Sequence, residues 1–82
     1  MTEENTQALR EITFGEKAVG LTFNPSGDSA VKTIKGYYAQ IIDDMNSIRS
    51  GKEDPEAKRL FSIAITEAQG AQMWAVKAIT WK

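Results

Sequence analysis

Lys35 is the residue of this sequence best placed to bind an anion. It follows Val31 by one helical turn, in a helical pattern that starts just after the turn Asn24–Ser26. A helix start offers free backbone amides to an anion, and a nearby ammonium adds positive charge, so phosphate is the expected ligand class. The alternative is a snorkelling lysine whose aliphatic stem covers apolar surface.

Aromatic side chains supply a second kind of chemistry, which is stacking on a planar base. Tyr37 and Tyr38 are adjacent and cannot share a helix face; Tyr38 falls on an apolar seam, whereas Tyr37 is free to stack. Another group recurs at helical spacing and consists of Gly70, Trp74, Lys77 and Trp81. Such a group fits a pocket for a base and a phosphate. Alternatively, both tryptophans anchor an interface and the lysine pairs with an acid.

The composition argues against several classes of protein. The 82 residues include no Cys and no His, and ten basic and eleven acidic residues give a net charge of −1. The commonest metal ligands and the usual general base are therefore missing, and no Walker or GxGxxG motif occurs, so we expect no catalytic residue, metal or cofactor. Balanced charge and the absence of a long apolar run predict neither a DNA or RNA polymer nor a membrane as partner.

The pattern predicts a single all-α domain over residues 1–82. Its N-terminal part, residues 1–27, is expected to hold a short helix that starts at Asn5 or Thr6 and ends near Thr13. The segment that follows, Phe14–Gly27, is broken by glycines and a proline, yet it is too apolar for a linker. We expect it to act as a clasp that wraps a partner subunit, a ligand, or both.

Two long helices are predicted at residues 28–50 and 54–81. Gly51 ends the first, and Asp54 followed by Pro55 is a typical helix start. The short loop between them requires an antiparallel hairpin. A seam for a facing helix is predicted on the first helix at Val31, Ile34, Tyr38, Ile41, Met45 and Ile48.

The second long helix is apolar nearly all round, which predicts self-association. Its expected seam consists of alanines spaced seven apart, at positions 57, 64, 71 and 78. A second apolar face carries Ile65, Gln72, Val76 and Ile79, and a third carries the tryptophans. Because a two-helix hairpin cannot bury three faces of one helix, and because so short a chain is marginal alone, we expect an oligomer.

Two segments resemble a known family. FGEKAVGLTFNPSG (Phe14–Gly27) and RLFSIAITEAQGAQMWAVKAITW (Arg59–Trp81) are similar to the small phage anti-CBASS cyclic-oligonucleotide sponges, whose helical hairpin is shared with an anti-Thoeris sponge family. The resemblance implies a compact homohexamer in the cytoplasm of the infected bacterial host. It also implies capture, without cleavage, of cyclic dinucleotides between paired subunits and, in many members, of cyclic trinucleotides between three subunits. Such capture would block CBASS-type antiphage signalling.

The resemblance also suggests which residues bind the ligands. Phe23 stands where other members have the tyrosine of a Gly-Tyr-Arg turn, Lys35 matches a lysine after isoleucine, and Lys77 replaces an arginine. Phe23 can stack but cannot donate, and Lys77 lacks the planar fork that grips phosphate. The implied cyclic dinucleotide site comprises Phe23, Asn24, Pro25, Ser26, Lys35, Tyr37 and Tyr38. The implied cyclic trinucleotide site comprises Gly70, Trp74 and Lys77.

Two other function classes remain. A purely structural or protein-binding helical hairpin of a phage or prophage explains the apolar second helix equally well. A cyclic-nucleotide phosphodiesterase is disfavoured because metal ligands are missing.

Overall fold

The residues that the structure describes form three helices. A computed structural model describes residues 11–82, which form α1 (Phe14–Val19), α2 (Ser29–Ser50) and α3 (Pro55–Ile79). α2 and α3 pack together as a hairpin, and α1 packs mainly on α2. The all-α prediction and the two long helices are confirmed, with bounds that differ from the expected ones by at most two residues.

The long helices start and end where local chemistry dictates. Asp28 caps α2 by accepting from the Ala30 amide at 2.8 Å, and Asp54 caps α3 by accepting from the Glu56 amide at 2.8 Å. At the start of α3, the Arg59 guanidinium hydrogen-bonds the Glu56 carboxylate and lowers the pKa of that carboxyl. This exposed pair supports the first turn of α3.

A short helix precedes the hairpin, as predicted, but it is not the one expected to end near Thr13. The predicted caps Asn5 and Thr6 lie outside the described residues, but Thr13 starts a helix instead of ending one. The Thr13 hydroxyl accepts from the Glu16 amide at 3.0 Å, and the Glu16 carboxylate accepts from the Thr13 amide at 2.9 Å. This capping box starts α1 inside the segment that was predicted to be irregular, and Gly20 ends it at φ 62°.

Gly15 is where α1 contacts α2 most closely. A Cβ atom added at Gly15 would lie 2.0 Å from the carbonyl oxygen of Ala39, so the close approach requires glycine. The Gly15 amide donates to Oδ1 of Asp43 at 2.6 Å. Asp43 therefore binds the N-terminal end of α1, where a negative charge is favourable.

The buried face of α2 differs from the predicted seam. α2 buries Val31, Lys35, Ala39 and Ile42, whereas Ile41 and Ile48 are about half exposed. The seam assumed a single facing helix, but α2 contacts α1 as well as α3. Its buried strip is therefore the one that both neighbours cover. The apolar core itself is small and comprises Val19, Val31, Ala39, Ile42 and Ile65.

Most of the apolar surface of α3 is uncovered. Ile65 and Gln72 are its buried residues, and the predicted alanine seam is not the buried face, since Ala71 and Ala78 are exposed. Trp74 is 71% exposed. The Cα atoms extend only 12 Å in the thinnest direction, so the hairpin has no second layer to cover this helix. Within the described residues, no helix has the length and hydropathy needed to cross a membrane.

Candidate functional site

A groove lies where the end of α1 and the loop after it face α3. Its volume is about 590 Å³, within the range of small-molecule sites. It is lined by Lys17, Ala18, Val19, Gly20, Phe23, Lys35, Gln69, Gln72, Met73 and Val76. We call it the Phe23–Lys35 groove, because it brings together two residues that the sequence singled out.

Lys35 is a buried cation that holds this loop in place. Its side chain is 5% exposed, and its ammonium donates to the carbonyl oxygen of Gly20 at 3.0 Å and to that of Phe23. An ammonium has three donors, so one remains available after these two bonds. Lys35 therefore does more than cover apolar surface with its stem, and it adds a positive charge to the lining of the groove.

Phe23 lies next to that charge and is mostly exposed. Its side chain is 70% exposed, and the centre of its ring lies 5.5 Å from Nζ of Lys35. This is a cation–π distance. The ring is thus oriented by a buried cation while most of its surface remains free to stack on a planar group.

The turn after Phe23 satisfies its own polar groups. The Asn24 side-chain amide donates to the carbonyl of Asp28 at 3.0 Å, and the Ser26 hydroxyl donates to Oδ1 of Asn24 at 2.9 Å. Gly27 has φ 69°, which the turn requires. Asn24 and Ser26 therefore stiffen the turn, and neither they nor Pro25 line the Phe23–Lys35 groove.

The tyrosines lie apart from this groove in the same chain. Tyr37 and Tyr38 line a separate shallow depression with Ile41. Tyr38 also packs against the core, while Tyr37 is 70% exposed. Of the residues predicted for the cyclic dinucleotide site, one chain therefore brings together Phe23 and Lys35 but not the tyrosines.

The second predicted site is an open aromatic surface near the end of α3. Nζ of Lys77 lies 5.6 Å from the centre of the Trp74 ring. Both residues line a depression of about 420 Å³ together with Ala78 and Trp81. Gly70 does not line it, and a Cβ atom at Gly70 would meet nothing within 4 Å. Trp74 and Lys77 are thus close together, whereas Gly70 only leaves open space one turn earlier.

Sequence reasoning missed one wall of the Phe23–Lys35 groove. That wall is a face of α3 formed by Gln69, Gln72, Met73 and Val76. A signal was present, because Gln72 is the polar member of an otherwise apolar face. Lys17 also lines the groove, at the end of a helix that the sequence did not predict.

The match to a family model covers the hairpin and the groove. The model described as "Acb2/Tad1, hairpin domain" matches residues 16–80. The chain belongs to the Acb2/Tad1 hairpin-domain family. This is the anti-CBASS and anti-Thoeris sponge family, whose members are cyclic-nucleotide sponges and generally non-catalytic binders. Neither the curated proteins nor the solved structures include a significant match to this chain.

The Acb2/Tad1 match includes every residue that lines the Phe23–Lys35 groove. It also includes Trp74 and Lys77. Among the described residues no cluster of three or more acidic side chains could hold a metal ion. The features that this Acb2/Tad1 member offers to a ligand are thus aromatic rings, amides and lysines.

Proposed function

We propose that this chain binds and sequesters cyclic dinucleotides in the Phe23–Lys35 groove without cleaving them. By doing so in the cytoplasm of an infected bacterium, it blocks CBASS-type antiphage signalling. The observation that carries the proposal is the pairing of a 70% exposed aromatic ring with a buried ammonium in one groove. A base can stack on the ring, and the phosphate attached to that base can bond the ammonium.

Each group has a distinct chemical role in this proposal. The Phe23 ring stacks on a base, which contributes about 1–3 kcal/mol in nucleic-acid complexes. The remaining N–H of the Lys35 ammonium donates to a phosphate oxygen. Lys17 lies at the same groove and is exposed, so it supplies a second positive charge for the second phosphate.

The proposed active form is a homo-oligomer, most simply a hexamer, in which neighbouring subunits close the groove. Large apolar side chains exposed on one chain support association, including Trp74 and Trp81, which are 71% and 73% exposed. Because Tyr37 and Tyr38 lie outside their own chain's groove, they join the ligand's surroundings only from a neighbouring subunit. The clasp that carries Phe23 then faces that neighbour.

A cyclic trinucleotide site at Trp74 and Lys77 is the second part of the proposal. The supporting observation is the 5.6 Å contact between the Lys77 ammonium and the Trp74 ring, both of which are exposed. Lysine binds phosphate as a point charge, without the paired donors of arginine. We therefore expect this site to be weaker than the cyclic dinucleotide site.

Isothermal titration with cyclic dinucleotides tests the proposal. Phe23→Ala removes a mostly exposed ring and should leave the fold intact, while Lys35→Met removes the charge and keeps the length of the side chain. A charge-assisted contact contributes about 1.5–3 kcal/mol, so the lysine variant should bind about 10- to 150-fold more weakly. Lys32→Met, an exposed lysine on the same helix, is the matched control. Unchanged affinity in both groove variants would contradict the proposed site.

Recovery of the ligand distinguishes the remaining function classes. The protein is mixed with a cyclic dinucleotide, separated from free ligand and then heat-denatured. Release of intact ligand indicates sequestration, and release of cleaved ligand indicates a phosphodiesterase. No depletion indicates a structural or protein-binding hairpin, the class that the exposed apolar face of α3 also fits.

A further inference from the structure

Gln72 is a buried amide without a hydrogen-bond partner among residues 11–82. Its side chain is 4% exposed, yet it lines the Phe23–Lys35 groove. The described residues contain no fully enclosed side-chain nitrogen or oxygen that lacks a partner. None of the residues 11–82 bonds the Gln72 amide, so its polar atoms are not fully enclosed, and the groove that Gln72 lines gives a ligand access to them. A buried polar group usually has a partner, so this one has its donor and acceptor ready for a ligand.

The surroundings of Gln72 restrict what that ligand group can be. On α3 it shares a face with Ile65 and Val76, and the phosphate-binding charges lie on other elements. A carboxamide offers one acceptor oxygen and a donor nitrogen side by side. It is matched by a planar group that presents a donor next to an acceptor. In a nucleotide, the edge of a base provides such a pair.

We infer that Gln72 bonds the edge of the base held in the groove. A glutamine amide can bond adenine in a bidentate manner, donating to N7 and accepting from the N6 amino group. It can also bond an unpaired guanine, donating to O6 and accepting from N1–H. The inference rests on the proposed function, since it concerns the base that stacks on Phe23. Lys35 and Phe23 bind the phosphate and the face of the base, whereas Gln72 bonds its edge.

The substitution Gln72→Glu tests the inference because it keeps the shape and replaces the donor by a second acceptor. Two acceptors match the N1–H and N2 amino groups of guanine and no longer match adenine. The affinities for cyclic di-adenosine monophosphate and cyclic di-guanosine monophosphate are measured for wild type and for each variant. In Gln72→Glu, affinity for the adenine ligand should fall at least about 10-fold, and the ratio of the two affinities should shift towards the guanine ligand.

Gln69→Glu is the matched control. It adds the same charge to the same groove from a less buried position. Repulsion of phosphate should therefore weaken the binding of both ligands equally and leave the ratio of the two affinities unchanged. Gln72→Leu is a second variant that introduces no charge. It should stay folded, because an apolar side chain suits this face, and it should bind both ligands more weakly than wild type.

The outcomes separate this inference from the proposed function. If wild-type protein binds neither ligand, both fail. If it binds cyclic dinucleotides with losses in Phe23→Ala and Lys35→Met, but the adenine-to-guanine ratio is the same in wild type and Gln72→Glu, and Gln72→Leu binds both ligands as tightly as wild type, only the assignment of Gln72 is overturned.

Discussion

Nζ of Lys35 donates to the carbonyl oxygen of Gly20 at 3.0 Å, so a buried cation on α2 fixes the loop that carries Phe23. The same ammonium bonds the Phe23 carbonyl and lies 5.5 Å from its ring. The position of the loop and the positive charge offered to a ligand thus both depend on the Lys35 side chain. If Lys35 only bound phosphate, its replacement would not change the stability of the ligand-free protein.

Lys35→Met should therefore lower stability even without ligand. Two partly buried carbonyl oxygens lose their donor, and an unsatisfied buried polar group costs about 1–3 kcal/mol. Chemical denaturation followed by circular dichroism would measure the change in the free energy of unfolding. Lys32→Met should change it little, because Lys32 is exposed. Equal stabilities of the two variants would show that Lys35 does not hold the loop.

Gly15→Ala should weaken the docking of α1. A methyl group there would overlap the Ala39 carbonyl oxygen at 2.0 Å, and forced overpacking typically costs about 1–3 kcal/mol. Gly36→Ala is the opposite case, since a Cβ atom at Gly36 meets nothing within 4 Å and alanine favours a helix interior by about 1 kcal/mol. Thermal unfolding should show a lower Tm for the first variant and a higher Tm for the second.

Asp43→Ala should free the start of α1 from α2. The Gly15 amide then loses its acceptor at 2.6 Å, and loss of a helix N-terminal acceptor costs about 1 kcal/mol. Hydrogen exchange of the Gly15 amide should become faster. Asp44→Ala is the control, because Asp44 accepts from Gln40 on its own helix instead. Equal exchange at Gly15 in both variants would exclude the tertiary cap.

Trp74→Ala should separate the two proposed ligand sites. Loss of a stacking ring worth about 1–3 kcal/mol should weaken cyclic trinucleotide binding about 5- to 150-fold, with little effect on cyclic dinucleotides. Lys77→Arg should strengthen the binding of the cyclic trinucleotide, because a guanidinium can bond phosphate with two donors. Titration of both ligands against each variant measures this. A parallel loss of both affinities in Trp74→Ala, with the oligomer unchanged in size-exclusion chromatography, would contradict independent sites.

The amino-acid sequence by itself determined the elements whose causes are local. The pair Asp54 and Pro55 and the stop at Gly51 predicted the helix ends on both sides of the hairpin loop to within one residue, because capping depends on neighbours in the chain. The resemblance of Phe14–Gly27 and Arg59–Trp81 to the sponge family was also readable from the sequence, and the family match confirms it.

Tertiary structure decided what depends on distant contacts. From the residue pattern alone, Lys35 had two alternative roles, and only the loop folding back on α2 shows that it bonds two carbonyls. Likewise, the buried face of α2 could not be predicted without α1, a helix that the sequence pattern did not predict, because burial is set by all neighbouring helices together. Gln72 belonged to an apolar face in the sequence. It became a candidate base-reading residue only when α3 was found to form a wall of the groove that Phe23 and Lys35 share.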